Sequence, residues 1–356
     1  MNVAALIPTA DAIPLPWGWF QVLLLLTFVV HLLFMNLMLG TAIIALASES
    51  RRPANPAPLA RDLAGELPLL IAFAVNFGVA PLLFLQVLYG QFLYTSSVLM
   101  AVYWLTVVGL LVLAYVGAYL YRLRYDSLGN NRRLVIGLAV LLLLTIGFIF
   151  TNNMTLMLRP AAWVGYFSQR HGTLLNLGDP TLLPRWLHFM VASVAVGGLF
   201  VAVLGHRRRL LDPMAARRVT AGLRWFTYAT IVQITVGLVF LITLPPPIRG
   251  LFLGDATLHT GLLLTGVATA LASIALAMAG QVWPTVATAG ATVTLMVLTR
   301  DLVRQAFLAP YFSPADLEVV PQYAPLLVFI LCLAIGLTLI AYMLWLAARA
   351  GKESRP

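Results

Sequence analysis

Four ionisable side chains stand inside an otherwise nearly uncharged run of apolar segments: His31, His188, His259 and Asp301. Hydrocarbon makes such groups costly, roughly 2.5–3.5 kcal/mol for a charged residue at mid-membrane, so residues of this kind are functional candidates by default. Three imidazoles and a carboxylate are competent to ligate iron, and His is a common axial ligand of haem. A plainer reading stands beside each. A lone His in a membrane helix is more often a packing or hydrogen-bonding residue. His259 also reads as an interfacial His at a helix start. Asp301, next to Arg300 and one turn before Arg304, also reads as an i,i+3 ion pair at a helix end. His206 adjoins Arg207 and His171 lies in a polar loop, and both read as surface residues.

The elements that must position these residues are membrane helices. Of 356 residues, 61% are hydrophobic and only 10% charged, a composition outside the soluble range. A span needs about 20 mostly apolar residues. That rule predicts an all-α polytopic membrane helix bundle with nine transmembrane helices, near 19–48, 68–95, 97–121, 133–157, 183–205, 219–244, 258–280, 282–300 and 323–348. The first apolar run is too long for a signal peptide and no Lys or Arg precedes it. The net charge of +10 comes mainly from arginines that fall on one side of the membrane when the N-terminus is outside. The positive-inside rule then puts the C-terminus in the cytoplasm. The basic balance reports topology, not a nucleic-acid partner. The single cysteine, Cys332, permits no disulfide, zinc cluster or iron–sulfur cluster, and there is no C-x-x-C-H for covalent haem attachment.

A weak internal repeat divides the chain. His31 is followed by Gly40 and a basic exit, and His188 by Gly197 and a basic exit, each as H-(x)8-G. This predicts one integral membrane domain: a first four-helix unit over 1–157, an external loop at 158–182, a second four-helix unit over 183–307 and a last helix at 323–348. On this topology all four ionisable residues gather in the outer half of the membrane. His188 and His259, on neighbouring odd-numbered helices, are placed to face each other as a bis-His pair, with His31 and Asp301 left for further iron. Asp301 falls at the outer end of the eighth span.

At these residues the chain resembles subunit I of the cytochrome bd quinol oxidases. VVHLLFMNLMLG resembles the first-helix motif whose His ligates haem d, at His31. AVNFGVAPLLFLQVLYG resembles the second helix. FTNNMTLMLRPAAW followed by LPRWLHFMVASVAVGG resembles the fourth helix, external loop and fifth helix, with His188 in the place of the low-spin haem b ligand. TRDLVRQAF resembles the family's T-E-x-G-R-Q-P-W segment, with Asp301 in the place of the glutamate ligand of high-spin haem b. The resemblance implies a haem-binding electron-transfer subunit of a respiratory oxidoreductase in the bacterial inner membrane, N-terminus periplasmic. It implies more than one haem b, haem d as a further candidate, and another membrane subunit as partner. His31 and Asp301 are then the candidate catalytic pair, and Arg304, with Arg300, the partner of haem propionates.

The departures reshape that expectation. The seventh span has no Met before Met278, so His259 is the substitute for the family's Met ligand, a change that lowers the haem potential. Residues 245–257 leave no room for the family's long quinol-binding loop. A periplasmic c-type cytochrome or another subunit becomes the expected electron donor, with quinone left open. The second and third spans carry no Asp or Glu within the bilayer, which leaves oxygen reduction open as well. The competing expectation is a haem-free membrane scaffold for extrinsic cytochromes. A secondary transporter is the third, and the chain lacks the broken helices and mid-membrane acids of that class.

Overall fold

The structure, a computed structural model, describes residues 3–51, 58–208 and 214–353. Nine long helices carry the described chain: α1 (Trp17–Arg51), α2 (Pro58–Leu99), α3 (Ala101–Leu123), α4 (Arg132–Met157), α5 (Leu182–Arg207), α6 (Ala215–Thr243), α7 (Thr257–Met278), α8 (Val282–Leu308) and α9 (Tyr323–Glu353). Each is long and apolar enough to cross a membrane. Helices suit that solvent because every backbone polar group is satisfied within its own segment. The expectation of an all-α polytopic bundle holds, with no strand among the described residues beyond an isolated bridge between Ile13 and Val319.

The first four long helices close a ring, α1 on α2, α2 on α3, α3 on α4 and α4 back on α1. Helices α5 to α8 close a second ring in the same order, and α1 packs on α5 to join the two. At the face where the chain starts, residues 3–16 and 309–322 seal the bundle. The Ile13 N–H donates to the Glu318 carbonyl at 2.8 Å, and the Val320 N–H to the Ile13 carbonyl at 2.9 Å. Ile13 is buried with Tyr89, Phe92, Trp163 and Phe307. At the opposite face Glu49 is buried and accepts from the hydroxyls of Tyr121 at 2.9 Å and Tyr125 at 2.7 Å, with Arg132 Nε at 3.8 Å.

Two elements differ from the sequence expectation. Helix α2 begins at Pro58, ten residues early, with proline in the first turn where its missing N–H costs nothing. Its backbone leaves helical geometry at Tyr89 (φ −136°, ψ 31°). Helix α8 runs on to Leu308, so Asp301 and Arg304 are buried inside the helix and not at its end. The charges allow this because they neutralise each other. Residues 245–257 form a helical turn at Pro246–Gly250 and a widened turn over Leu251–Asp255, where Gly254 takes a φ of 131° that only glycine adopts readily. Helix α9 leaves the sealed face and makes no extensive contact with another helix among the described residues, its described side chains exposed nearly throughout.

Candidate functional site

The H-(x)8-G repeat has a structural counterpart. Gly40 and Gly197 meet at the α1–α5 crossing, and a methyl added to Gly197 would lie 2.7 Å from the Gly40 Cα. The Ser193 hydroxyl donates across the same crossing to Asn36 Oδ1 at 2.9 Å. Each histidine of the repeat then abuts a glycine on the next helix. A Cβ on Gly78 of α2 would lie 2.9 Å from His31 Cε1, and one on Gly237 of α6 would lie 3.1 Å from His188 Cε1.

His31 lines a cavity of about 360 Å³ between α1, α2, α3, α4, α5 and α8, within the size range of cofactor sites. Its Nδ1 is 3.0 Å from the Ala74 carbonyl. With Nδ1 donating there, the neutral ring carries its lone pair on Nε2. A backbone carbonyl on the far nitrogen is the support that metal-ligating histidines have. The lining is apolar apart from His31, Thr151, Arg185, Arg300 and Arg304.

Those guanidiniums are the outstanding electrostatic feature. Arg185 and Arg304 are buried, 7% and 6% exposed. The Nε atoms of Arg185, Arg300 and Arg304 are all buried without a hydrogen-bond partner. Aromatic faces cover the three cations: Phe240 under Arg185 at 5.0 Å, Phe28 under Arg300 at 4.4 Å and Tyr89 under Arg304 at 4.7 Å. Among the described residues only Arg304 of the three has a carboxylate at ion-pair distance, Asp301. A buried charge without a counter-ion costs several kcal/mol, so the cavity is electrostatically suited to an anionic group.

Asp301 does not line the cavity. Three donors converge on its carboxylate: Gln21 Nε2 at 2.5 Å, Gln305 Nε2 at 2.7 Å, and Arg304. The i,i+3 ion pair that the sequence offered as the plainer reading is formed, and it is buried. A carboxylate so engaged holds Arg304 in place beside the cavity.

His188 and His259 belong to the second ring. The Nδ1 atoms of both are buried without a partner. Helices α5 and α7 both pack on α6 and on α8 and make no comparable contact with each other among the described residues, so they lie across the ring and not side by side. The His259 ring stands edge-on to Phe252 at 5.1 Å. Among the described residues no three His, Cys, Asp or Glu side chains converge, so a bare metal ion has no cage of that kind.

Sequence reasoning missed Arg185 as a cavity residue, although an arginine inside an apolar span, three residues before His188, was itself a signal. It also missed Gln21, whose partner lies 280 positions away. No protein-family model matches the chain, and no curated protein matches it either.

Proposed function

We propose that the chain is a haem-bearing electron-transfer subunit of a respiratory membrane complex, similar to subunit I of the cytochrome bd oxidases. One observation carries this reading. Three guanidiniums line the His31 cavity and only Arg304 has a carboxylate at ion-pair distance among the described residues, which leaves two for the two propionates of a b-type haem. The apolar lining suits the porphyrin and His31 suits its iron. The haem supplies one-electron chemistry when bound. The chain's own residues hold it: the Ala74 carbonyl fixes the His31 tautomer, Gly78 leaves room for the ring, and Asp301 orients Arg304 toward the anionic edge.

A second haem in the α5–α8 ring, which His188 and His259 would hold, is part of the proposal. The two unpartnered Nδ1 atoms and the glycine beside His188 support it. The arginine distribution supports a periplasmic sealed face, where a c-type cytochrome would deliver electrons. The uncovered α9 supports another membrane subunit as partner.

The test is a reduced-minus-oxidised spectrum of the purified complex, with haem extraction to count and type the haems per chain. Low-spin b bands that disappear in His188→Ala support the reading. A haem-free subunit defeats it and leaves a scaffold for extrinsic cytochromes.

A further inference from the structure

We infer that iron held by His31 takes a methionine thioether, from Met154 or Met190, as its second axial ligand, which makes this cavity an electron relay and not a site open to dioxygen. The inference rests on the haem reading above and goes beyond it.

The lining of the cavity contains no Asp, Glu, Cys, Lys or Tyr. Besides His31, the side chains there that ligate iron well are thioethers: Met35, Met38, Met154 and Met190. Thioether and imidazole together are an established axial pair for electron-transfer haems. Met35 lies one turn from His31 on the same helix, where Cβ atoms are about 6 Å apart and side chains share a face. It cannot reach the opposite side of a porphyrin bound to His31, and its Sδ is already 3.9 Å from the Ser193 hydroxyl. Met38 lies farther along α1. Met154 on α4 and Met190 on α5 come from other walls. Side chains lean toward the N-terminus of their own helix, so Met154 leans back along α4 toward Thr151, which also lines the cavity. Met190 is buried and lies against Gly147 of α4, with its Cε 3.1 Å from where a Gly147 Cβ would be.

The same lining bears on protons. Reduction of dioxygen consumes protons as well as electrons. The guanidiniums release none near neutral pH. The Thr151 hydroxyl is committed to the Gly147 carbonyl at 2.7 Å, and His31 Nδ1 to Ala74. An outer-sphere relay needs neither protons nor an open position. With haems bound at both sites, the His31 centre would take one electron from the His188 centre and pass one on to a redox group of a partner subunit. No bond forms or breaks.

The experiment uses carbon monoxide, which binds reduced haem only at an open position, on the dithionite-reduced complex. His188→Ala removes the other haem, so its remaining signal belongs to the His31 centre. That signal is expected to be low-spin and unmoved by carbon monoxide, and to vanish in His31→Ala. The double variant Met154→Leu/Met190→Leu, and one of the two single variants, are expected to abolish the thioether-to-iron charge-transfer band of the oxidised protein. At least one is expected to raise the carbon-monoxide-binding fraction of that haem tenfold or more. The methionine variants are read in the wild-type background as well, in case His188→Ala does not fold. A wild-type His31 centre that binds carbon monoxide, or a double methionine variant with an unchanged spectrum, overturns the inference while leaving the haem reading intact. A complex with no haem in this subunit overturns both.

Discussion

Gly40 and Gly197 face each other at the α1–α5 crossing, each so close to the other's backbone that neither has room for a Cβ. The contact joins the two helix rings at equivalent points of an internal repeat, nine residues after His31 and nine after His188. The α1–α5 approach therefore fixes how the two candidate iron ligands are placed relative to each other.

Gly40→Ala puts a methyl against the Ser193 carbonyl and the Gly197 Cα, both backbone. Overpacking a close contact costs about 1–3 kcal/mol, and here neither neighbour is a flexible side chain. Thermal unfolding in detergent should show a clear loss of stability, with the signals of both proposed haem sites perturbed together. An unchanged melting temperature would mean the helices do not cross this closely.

Gly78→Leu and Gly237→Leu should separate the two sites without touching a ligand. Each adds a side chain where the histidine ring now lies, at His31 and His188 respectively. On the proposed two-haem reading, haem content should fall by one per chain in each variant, with different optical bands lost. Loss of the same band in both would show that the two histidines serve one site.

Asp301→Ala leaves the buried Arg304 guanidinium without its carboxylate and strips Gln21 and Gln305 of their acceptor. Breaking one partner of a buried pair costs about 3–5 kcal/mol. The variant should unfold at markedly lower temperature, and Asp301→Asn, which keeps an acceptor oxygen, should be milder. Equal stability of Asp301→Ala and the wild type would show that the ion pair does not hold Arg304.

Arg300→Gln removes one guanidinium that has no carboxylate partner among the described residues. Charge-assisted hydrogen bonds contribute about 1.5–3 kcal/mol, so haem retention at the His31 site should weaken by about one to two orders of magnitude in transfer to an apo-globin acceptor. In the absence of a bound anion the same substitution should stabilise the protein. A variant that retains haem as well as wild type would remove Arg300 from the propionate site.

At the opposite face, burial, together with the hydrogen bond to Glu49, holds the Tyr125 hydroxyl above its ordinary titration range. Its contribution to stability is therefore fully present below about pH 10, the unfolded tyrosine value, and is lost as pH rises toward the folded value. Unfolding midpoints measured between neutral and strongly alkaline pH should fall more steeply for wild type than for Tyr125→Phe. Parallel curves would contradict the coupling to Glu49.

The number and class of the helices were legible in the sequence because a bilayer imposes a length and a composition on each span, and both can be read residue by residue. The repeat that ends at Gly40 and Gly197 was legible for a similar reason, since close helix approach selects glycine. The end of α8 was not. A run of charges normally marks a boundary, but Arg304 and Asp301 continue the helix because they pair with each other and Asp301 also accepts from Gln21 of α1. The arrival of Arg185 beside Arg300 and Arg304 at the cavity of His31 was equally hidden, since it joins helices far apart in the chain. Composition and periodicity are local, so the sequence by itself determined what crosses the membrane and which residues were costly to place there. Only tertiary packing decided which of those costly residues share a site, because charge compensation in an apolar interior depends on distance in space and not on separation along the chain.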